Sequence, residues 1–275
     1  MKPREMLYGL GLRPRPRRYG FEIRSFLLAG EAPVEFAVWR HPRYKLTPFA
    51  PACVEAIRRF LAPGDFAIDV GAHVGDSTLP MALAAGASGG VFGLEPNPYV
   101  YGVLEANARL NPDRMHIYPL MFAATREDGI YEFQYSDPGF CNGGLHPGTA
   151  LWQHSHFFKL RVQGRNLIKY LEREFPTAVT RIRYIKIDAE GADPEVAESL
   201  LPLLVANHPY IKTEIYKHLL PEKRRAYFQR LHDLGYIIHR WVSDEDYNGE
   251  VLSESDMQRW PHFDIFAVPS HPARG

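Results

Sequence analysis

The sequence predicts an α/β fold in which a mostly parallel sheet is covered by helices on both faces. Three observations lead there. From residue 66 onward, short apolar runs of strand length alternate with segments of helical periodicity, the pattern of repeated βα units. The first of these strands, Phe66–Val70, runs into a glycine-containing loop that opens a helix, and later apolar strands end on acidic residues. In such sheets ligands bind beyond the carboxyl ends of the strands, near the point where strand order reverses, so the chemistry belongs just after each strand.

The elements follow in order. Residues 2–18 carry Lys2, Arg4, Arg13, Arg15, Arg17 and Arg18 against the single acid Glu5. Pro14 and Pro16 disfavour a helix there, leaving either a solvated basic arm or an arm that touches an anionic substrate or partner. Residues 21–39, broken by Gly30 and Pro33, read as a hairpin or strand pair. Residues 51–61 read as a helix with Val54, Ile57 and Leu61 on one face, stopped by Pro63-Gly64. Strands are expected at 66–70, 90–94, 115–123, 182–187, 210–215, 236–241 and 262–268, and helices at 77–85, 98–110, 166–175, 194–205 and 221–234. Pro119 weakens the third strand. Residues 130–135 alternate like an edge or hairpin strand, and 136–155, rich in Gly, Pro, Asn and His, read as a long loop of the kind that is usually functional or disordered.

Composition narrows the class. The 275 residues are 45% apolar and 23% charged, with 32 Lys plus Arg against 32 Asp plus Glu, which allows a sizeable core and argues against disorder. A neutral chain has no global field for nucleic acid or an anionic membrane, so neither is expected as the main partner. Cys53 and Cys141 fit no zinc or CxxC spacing. A disulfide framework is thereby excluded, and a reducing, cytoplasmic setting is expected. No apolar run of about 18 residues suggests a transmembrane helix, and the basic N-terminus lacks the apolar stretch of a signal peptide.

Three motifs carry chemistry. In Asp69-Val-Gly71-Ala72-His73-Val-Gly75-Asp76-Ser77, glycines permit a sharp turn and a close backbone approach before a helix start with unpaired N–H groups. An acid at this place would repel a pyrophosphate and suits a cationic or amino-bearing ligand. Glu95 ends the next strand, where a carboxylate can accept two bonds from vicinal ribose hydroxyls; Pro96-Asn97-Pro98 then turns into a helix. In the strand Tyr184-Ile-Lys186-Ile-Asp188-Ala-Glu190-Gly, alternation would aim Lys186, Asp188 and Glu190 the same way, which is costly unless they are paired or used.

DVGAHVGD, LEPNPYVYGVLEANARLN and YIKIDAEGADPEV, in this order, resemble the FkbM-type methyltransferases, a branch of the class I S-adenosylmethionine-dependent methyltransferases. The resemblance covers residues 63–216, and YIKTEIY at 210–216 looks like the family's next strand, ending at Glu214. It implies a Rossmann-like seven-stranded methyltransferase fold with the last strand antiparallel, a domain over residues 51–275 behind an extension over residues 1–50, and S-adenosylmethionine as cofactor. It implies that Asp69, Gly71, Ala72, His73 and Gly75 line the methionine and sulfonium end, with Asp76 and Ser77 closing the same loop. Glu95 would bind the ribose, Pro96 and Asn97 would shape the turn beside it, and Ala123 and Ala124 would pass the adenine. Asp188 would lie near the methyl group and the acceptor. The family's usual Leu-Asp-Asp-like segment is replaced by Gln163-Gly164-Arg165-Asn166-Leu167, a departure that bears on the acceptor pocket.

The implied reaction is methyl transfer to a hydroxyl of a sugar, glycolipid or natural-product small molecule. Asp188 is the first candidate base, ahead of a histidine from the loop (His146, His154, His156). His73 would lie too near the cofactor. Lys186, Glu190 and Glu214 would orient the acceptor or a metal, and Asp188, Glu190 and Glu214 are oxygen donors that could hold Mg²⁺. The histidine loop has no familiar zinc spacing. A second copy of the chain is an open partner. Two alternatives stand beside this reading. A dinucleotide-dependent oxidoreductase should show GxGxxG, and Ala72-His73 falls where its second glycine is needed. A non-catalytic binding module would keep the fold without needing the intact acids.

Overall fold

The computed structural model describes residues 14–135, 137–141, 143–144 (backbone) and 158–271. The expectations for Lys2, Arg4, Glu5 and Arg13 and for His146, His154 and His156 lie outside the described residues. The chain opens with strands β1 (Phe21–Phe26) and β2 (Val34–Trp39) and helix α1 (Cys53–Ile57). It continues through β3 (Phe66–Val70), α2 (Thr78–Ala85), β4 (Gly90–Leu94), α3 (Pro98–Arg109) and β5 (Ile117–Leu120). Then come β6 (Ala123–Ala124), β7 (Gly129–Tyr135), β8 (Gly143–Gly144), β9 (Phe158–Arg165), α4 (Leu167–Glu174) and α5 (Pro176–Val179). The last stretch holds β10 (Ile182–Ile187), α6 (Asp193–Ser199), α7 (Leu201–Asn207), β11 (Tyr210–Ile215), α8 (Pro221–Asp233), β12 (Tyr236–Arg240) and β13 (Phe263–Pro269).

The main sheet has seven strands in the order β12-β13-β11-β10-β3-β4-β5. β5, β4, β3, β10 and β11 run parallel, and β13 runs antiparallel to both β11 and β12. Strand order reverses between β3 and β10, so the crevice expected to hold a ligand opens at their carboxyl ends. The parallel strands are apolar along their length because both faces are covered. Ile68, Phe92, Ile185 and Ile211 pack on one side, and Ala67, Val91, Tyr184 and Phe266 on the other. This is the mixed α/β fold expected from the alternating pattern.

Four local expectations change, the first being that the helix expected over 194–205 divides at Leu200 into Asp193–Ser199 and Leu201–Asn207, with Pro202 opening the second. The helix expected over residues 51–61 contracts to Cys53–Ile57, because Phe60 and Leu61 both donate back to the Ile57 carbonyl and tighten into a turn. The strand expected over 115–123 splits. β5 stops at Leu120, and Ala123–Ala124 leaves the main sheet to pair with β9. Pro119 is tolerated because β5 is the edge strand. A second sheet, in the order β6-β9-β7-β8, was not anticipated beyond the β7 alternation. Its long strand β9 was legible, since Phe158, Leu160 and Val162 alternate with Lys159, Arg161 and Gln163.

The N-terminal hairpin β1–β2 shares the core of the main sheet. Val34, Phe36 and Ala37 cluster with Leu79, Val91 and Val103. Asn107 on α3, itself buried, fastens this junction. Its Oδ1 accepts the Ala37 N–H at 2.6 Å, and its Nδ2 donates to the Ala37 and Val74 carbonyls at 3.1 and 2.8 Å. Hairpin, helix and glycine loop thus meet on one amide. Asn107→Ala strands three buried backbone groups, and a loss of about 2 kcal/mol or more is expected by urea denaturation; an unchanged midpoint would show that the hairpin is held by apolar packing alone.

Candidate active site

The site is built where the loop after β3 meets the loop after β10. Gly71 has φ +78, and a Cβ there would lie 2.1 Å from the Asp188 carbonyl oxygen, so only glycine lets the two loops touch. Asp188 N–H in turn donates to the Val70 carbonyl at 3.1 Å. Gly71 and Ala72 donate to the Leu94 carbonyl at 3.1 and 2.9 Å, which ties the glycine loop to the end of β4.

Asp69 is fully buried and takes no part in lining the cleft described below. Its Oδ2 accepts the Ser77 and Thr78 hydroxyls at 2.8 and 2.6 Å, and its Oδ1 accepts Lys186 Nζ at 3.1 Å. Its acceptor capacity is spent on the helix start and on Lys186. Lys186 also donates to the Gly71 carbonyl at 3.3 Å and pairs with Asp188 Oδ2 at 3.5 Å. Burial, the largest single influence, opposes its charge, but Asp69 and Asp188 outweigh it and hold the ammonium above the usual lysine pKa.

Glu95 follows β4 and is buried. Its Oε1 accepts the Asn97 N–H at 2.8 Å and its Oε2 the His73 N–H at 3.1 Å. Burial pushes its carboxyl up to about 7, against these two donors. Asn97 caps α3 by accepting the Tyr99 N–H at 2.9 Å and donates Nδ2 to the Phe140 carbonyl at 2.7 Å. The end of the basic arm docks here. Arg18 donates to the Pro98 carbonyl at 3.0 Å and lies 4.9 Å over the Tyr99 ring, and Arg17 N–H reaches the Pro138 carbonyl at 2.9 Å.

Around these residues lies a cleft of about 620 Å³ that opens to solvent. Gly71, Glu95, Pro96, Ala123, Ala124 and Asp188 line it together with Glu190. Phe122, Phe133 and Tyr135 complete its walls and were missed from sequence. The signal for the last two was the β7 alternation, which puts Phe133 and Tyr135 on one face. His73, at φ 52, is wedged between Trp39 and Tyr44 with centroids 5.6 and 5.5 Å away, and its Nε2 is buried without a partner. Burial lowers the His73 pKa and raises that of Asp76. Gly75, at φ +96, is pressed against Leu104, and Ser77 begins α2.

The alternation expected to aim Lys186, Asp188 and Glu190 alike ends with β10 at Ile187, and Glu190 takes φ 52. Asp193, which sequence reasoning missed, shapes this bend. It accepts the Ala189 and Gly191 N–H groups at 3.3 and 3.1 Å and is pushed up to about 7 by burial and then Asp188. Glu214 stands apart from the cleft lining. Its Oε1 is 3.3 Å from His262 Nε2, its Oε2 is buried without a partner, and burial followed by Asp188 pushes it up to about 9. The expected Mg²⁺ set of Asp188, Glu190 and Glu214 does not assemble: among the described residues no three His, Cys, Asp or Glu side chains are placed to hold a metal. Glu214 is turned toward His262, and the strand geometry that would align the others has ended. Cys53 and Cys141 are free and buried, and among the described residues no helix is long and apolar enough to cross a membrane.

The chain resembles several solved structures. Methyltransferase FkbM from Methylobacillus flagellatus KT is 14% identical, with a TM-score of 0.42 over 74% of this chain and 43% of that one. Aeropyrum pernix fibrillarin in complex with natively bound S-adenosyl-L-methionine is 19% identical, with a TM-score of 0.44 over 93% and 85%. A SAM-dependent O-methyltransferase from Thermotoga maritima is 14% identical, with a TM-score of 0.43 over 92% and 79%. A search of curated proteins returned no match. The family model of the methyltransferase FkbM domain matches residues 69–238, from the acid of the glycine loop into β12, and the chain belongs to that family.

Proposed function

We propose that the chain is an S-adenosylmethionine-dependent O-methyltransferase whose acceptor is a hydroxyl on a sugar, glycolipid or natural-product small molecule. The observation that carries this is the cleft at the β3–β10 reversal, lined together by buried Glu95 and by Asp188 and Glu190. The donor set fits the cofactor. A carboxylate offers about four lone-pair sites, and the two backbone N–H groups on Glu95 leave room for two ribose hydroxyls. Phe122, Phe133, Ala123 and Ala124 give an apolar slot for a flat base. The acids Asp188 and Glu190 suit the sulfonium end.

When bound, S-adenosylmethionine supplies an electrophilic methyl group on sulfur. The chain's part is to align the acceptor and take its proton. Positioning contributes about 7–11 kcal/mol in favourable cases, and a placed base about 10²–10⁴ in rate. Asp188, half exposed beside Lys186 at 3.5 Å, takes the hydroxyl proton. Lys186 keeps its own proton, so it serves as a fixed positive charge. Glu190, on the wall of the same cleft, orients the acceptor.

Asp188→Asn should lower turnover by about 10²–10⁴ while S-adenosylhomocysteine affinity, measured by isothermal titration, stays within a few-fold; unchanged turnover removes Asp188 as the base. Glu95→Gln should weaken that affinity about tenfold or more, since each bond to a charged group is worth roughly 1.5–3 kcal/mol. The same affinity should depend on pH. Ribose hydroxyls donate to the ionised carboxylate, and Glu95 loses its proton near 7. Binding should therefore tighten as pH rises from 6 to 8 and weaken below 7, and Glu95→Gln should flatten the profile. A flat wild-type profile would take Glu95 out of the ribose contact.

A further inference from the structure

One buried cation is not used by the assignments above. Arg224, near the start of α8, is buried, and among the described residues its guanidinium is met by carbonyls rather than by a carboxylate. Nε donates to the Leu219 carbonyl at 3.1 Å, Nη1 to those of Met257 and Trp260 at 3.2 and 2.8 Å, and Nη2 to those of Tyr216 and Pro261 at 2.9 and 2.6 Å. A guanidinium offers five N–H donors in a fixed fork, and here each has a carbonyl. The turn after β11, residues 216–219, is thereby fastened to the segment that enters β13.

The fastened turn bears on the cleft wall. The Tyr216 ring stands against Gly191, where a Cβ would lie 2.8 Å from it, and Gly191 directly follows Glu190, which lines the cofactor cleft. Both residues of this bend are left-handed, Glu190 at φ 52 and Gly191 at φ +101. A left-handed glutamate persists only where its surroundings over-determine it. Asp193 holds the bend from within, by accepting the Ala189 and Gly191 N–H groups. Tyr216 closes it from the other side. The ring is itself bracketed by His218 and His262, with centroids 5.4 and 6.3 Å away, and its own carbonyl is held by Arg224.

We propose that Arg224 and Tyr216 are positioning residues for Glu190: Arg224 sets the turn, the Tyr216 ring sets the bend, and the bend holds the Glu190 carboxylate at the sulfonium end of the cleft. The proposal rests on the methyltransferase reading and says where that reading's charge selectivity comes from. Neither Arg224 nor Tyr216 lines the cleft, so both act through Glu190. A carboxylate held at that end favours a ligand that is cationic at the sulfonium position over one that is neutral there, and selectivity is the difference of the two affinities. Letting the bend relax removes this preference and leaves the contacts to ribose and base in place.

Two ligands read this preference without any acceptor. S-adenosylhomocysteine is neutral at sulfur, whereas sinefungin carries a protonated amine in place of the methylsulfonium. Full-length wild type, Tyr216→Ala, Tyr216→Phe, Arg224→Lys, Glu190→Gln and the double variant Glu190→Gln with Tyr216→Ala are titrated with both by calorimetry. Wild type should bind sinefungin the more tightly. Tyr216→Ala should cut that preference about three- to fivefold, the size of a partly exposed charge contact, and Glu190→Gln should cut it at least as much. S-adenosylhomocysteine affinity should stay within about twofold throughout. Tyr216→Phe keeps the ring and should keep the preference. Arg224→Lys loses the fork and should lower the preference as Tyr216→Ala does; where that variant fails to fold, the Tyr216 series decides. On the Glu190→Gln background Tyr216→Ala should add nothing, because its effect passes through that carboxylate. A preference untouched by Tyr216→Ala, or lowered equally with and without the Glu190 carboxylate, overturns the positioning role. Absence of S-adenosylhomocysteine binding to wild type overturns the methyltransferase reading instead.

Discussion

The Asp69–Lys186 ion pair is the contact on which the rest of the site depends. The two residues face each other across β3 and β10, register neighbours at the point where strand order reverses. Taking two such charges out of water costs several kcal/mol per ion and is offset only when the remaining donors and acceptors are also used. Here they are. Asp69 accepts the Ser77 and Thr78 hydroxyls, and Lys186 reaches the Gly71 carbonyl and Asp188. One buried pair thereby sets the helix start, the glycine loop and the acid after β10 relative to one another. The sheet supplies the apolar surroundings that make the pair rigid.

A steric constraint works at the same place. Gly71 stands against the Asp188 carbonyl, closer than any side chain permits. The left-handed turn at Gly71 and the left-handed backbone at His73 and Glu190 then aim the His73 N–H at Glu95 and carry Glu190 onto the cleft wall. Left-handed non-glycine residues are uncommon and cluster where structure around them over-determines the backbone. His73 is held by Trp39 and Tyr44, and the bend around Glu190 by Asp193. The N-terminal extension is thus part of the site's support: Asn107 joins the hairpin to the Val74 carbonyl inside the glycine loop.

Much of this was legible in the chain. The apolar strands, the glycine loop and Glu95 announced themselves because local rules act on neighbouring residues. Hydrophobic period, turn chemistry and capping need no knowledge of distant partners. Phe133 and Tyr135 were within reach of the same reasoning, since β7 alternates. The pairing of Asp69 with Lys186 was not legible, because a carboxylate after a strand looks the same whether it faces a ligand or a lysine on the neighbouring strand. Alternation was no guide beyond Ile187, where β10 ends; Asp188 still meets Lys186 and shares the cleft with Glu190, but through the bend and not through the pleat of a strand.

By itself the sequence determined the order of strands and helices, the position of the glycine loop and the identity of the acids at the strand ends. Those are properties of contiguous residues, written in their spacing. Only the tertiary structure decided which acid is spent on Lys186 and which lines the cleft, and that Glu214 turns to His262. Each of those depends on contacts between segments far apart in the chain. Burial and partner distance, which fix the charge and role of an ionisable group, exist only after the sheet has closed.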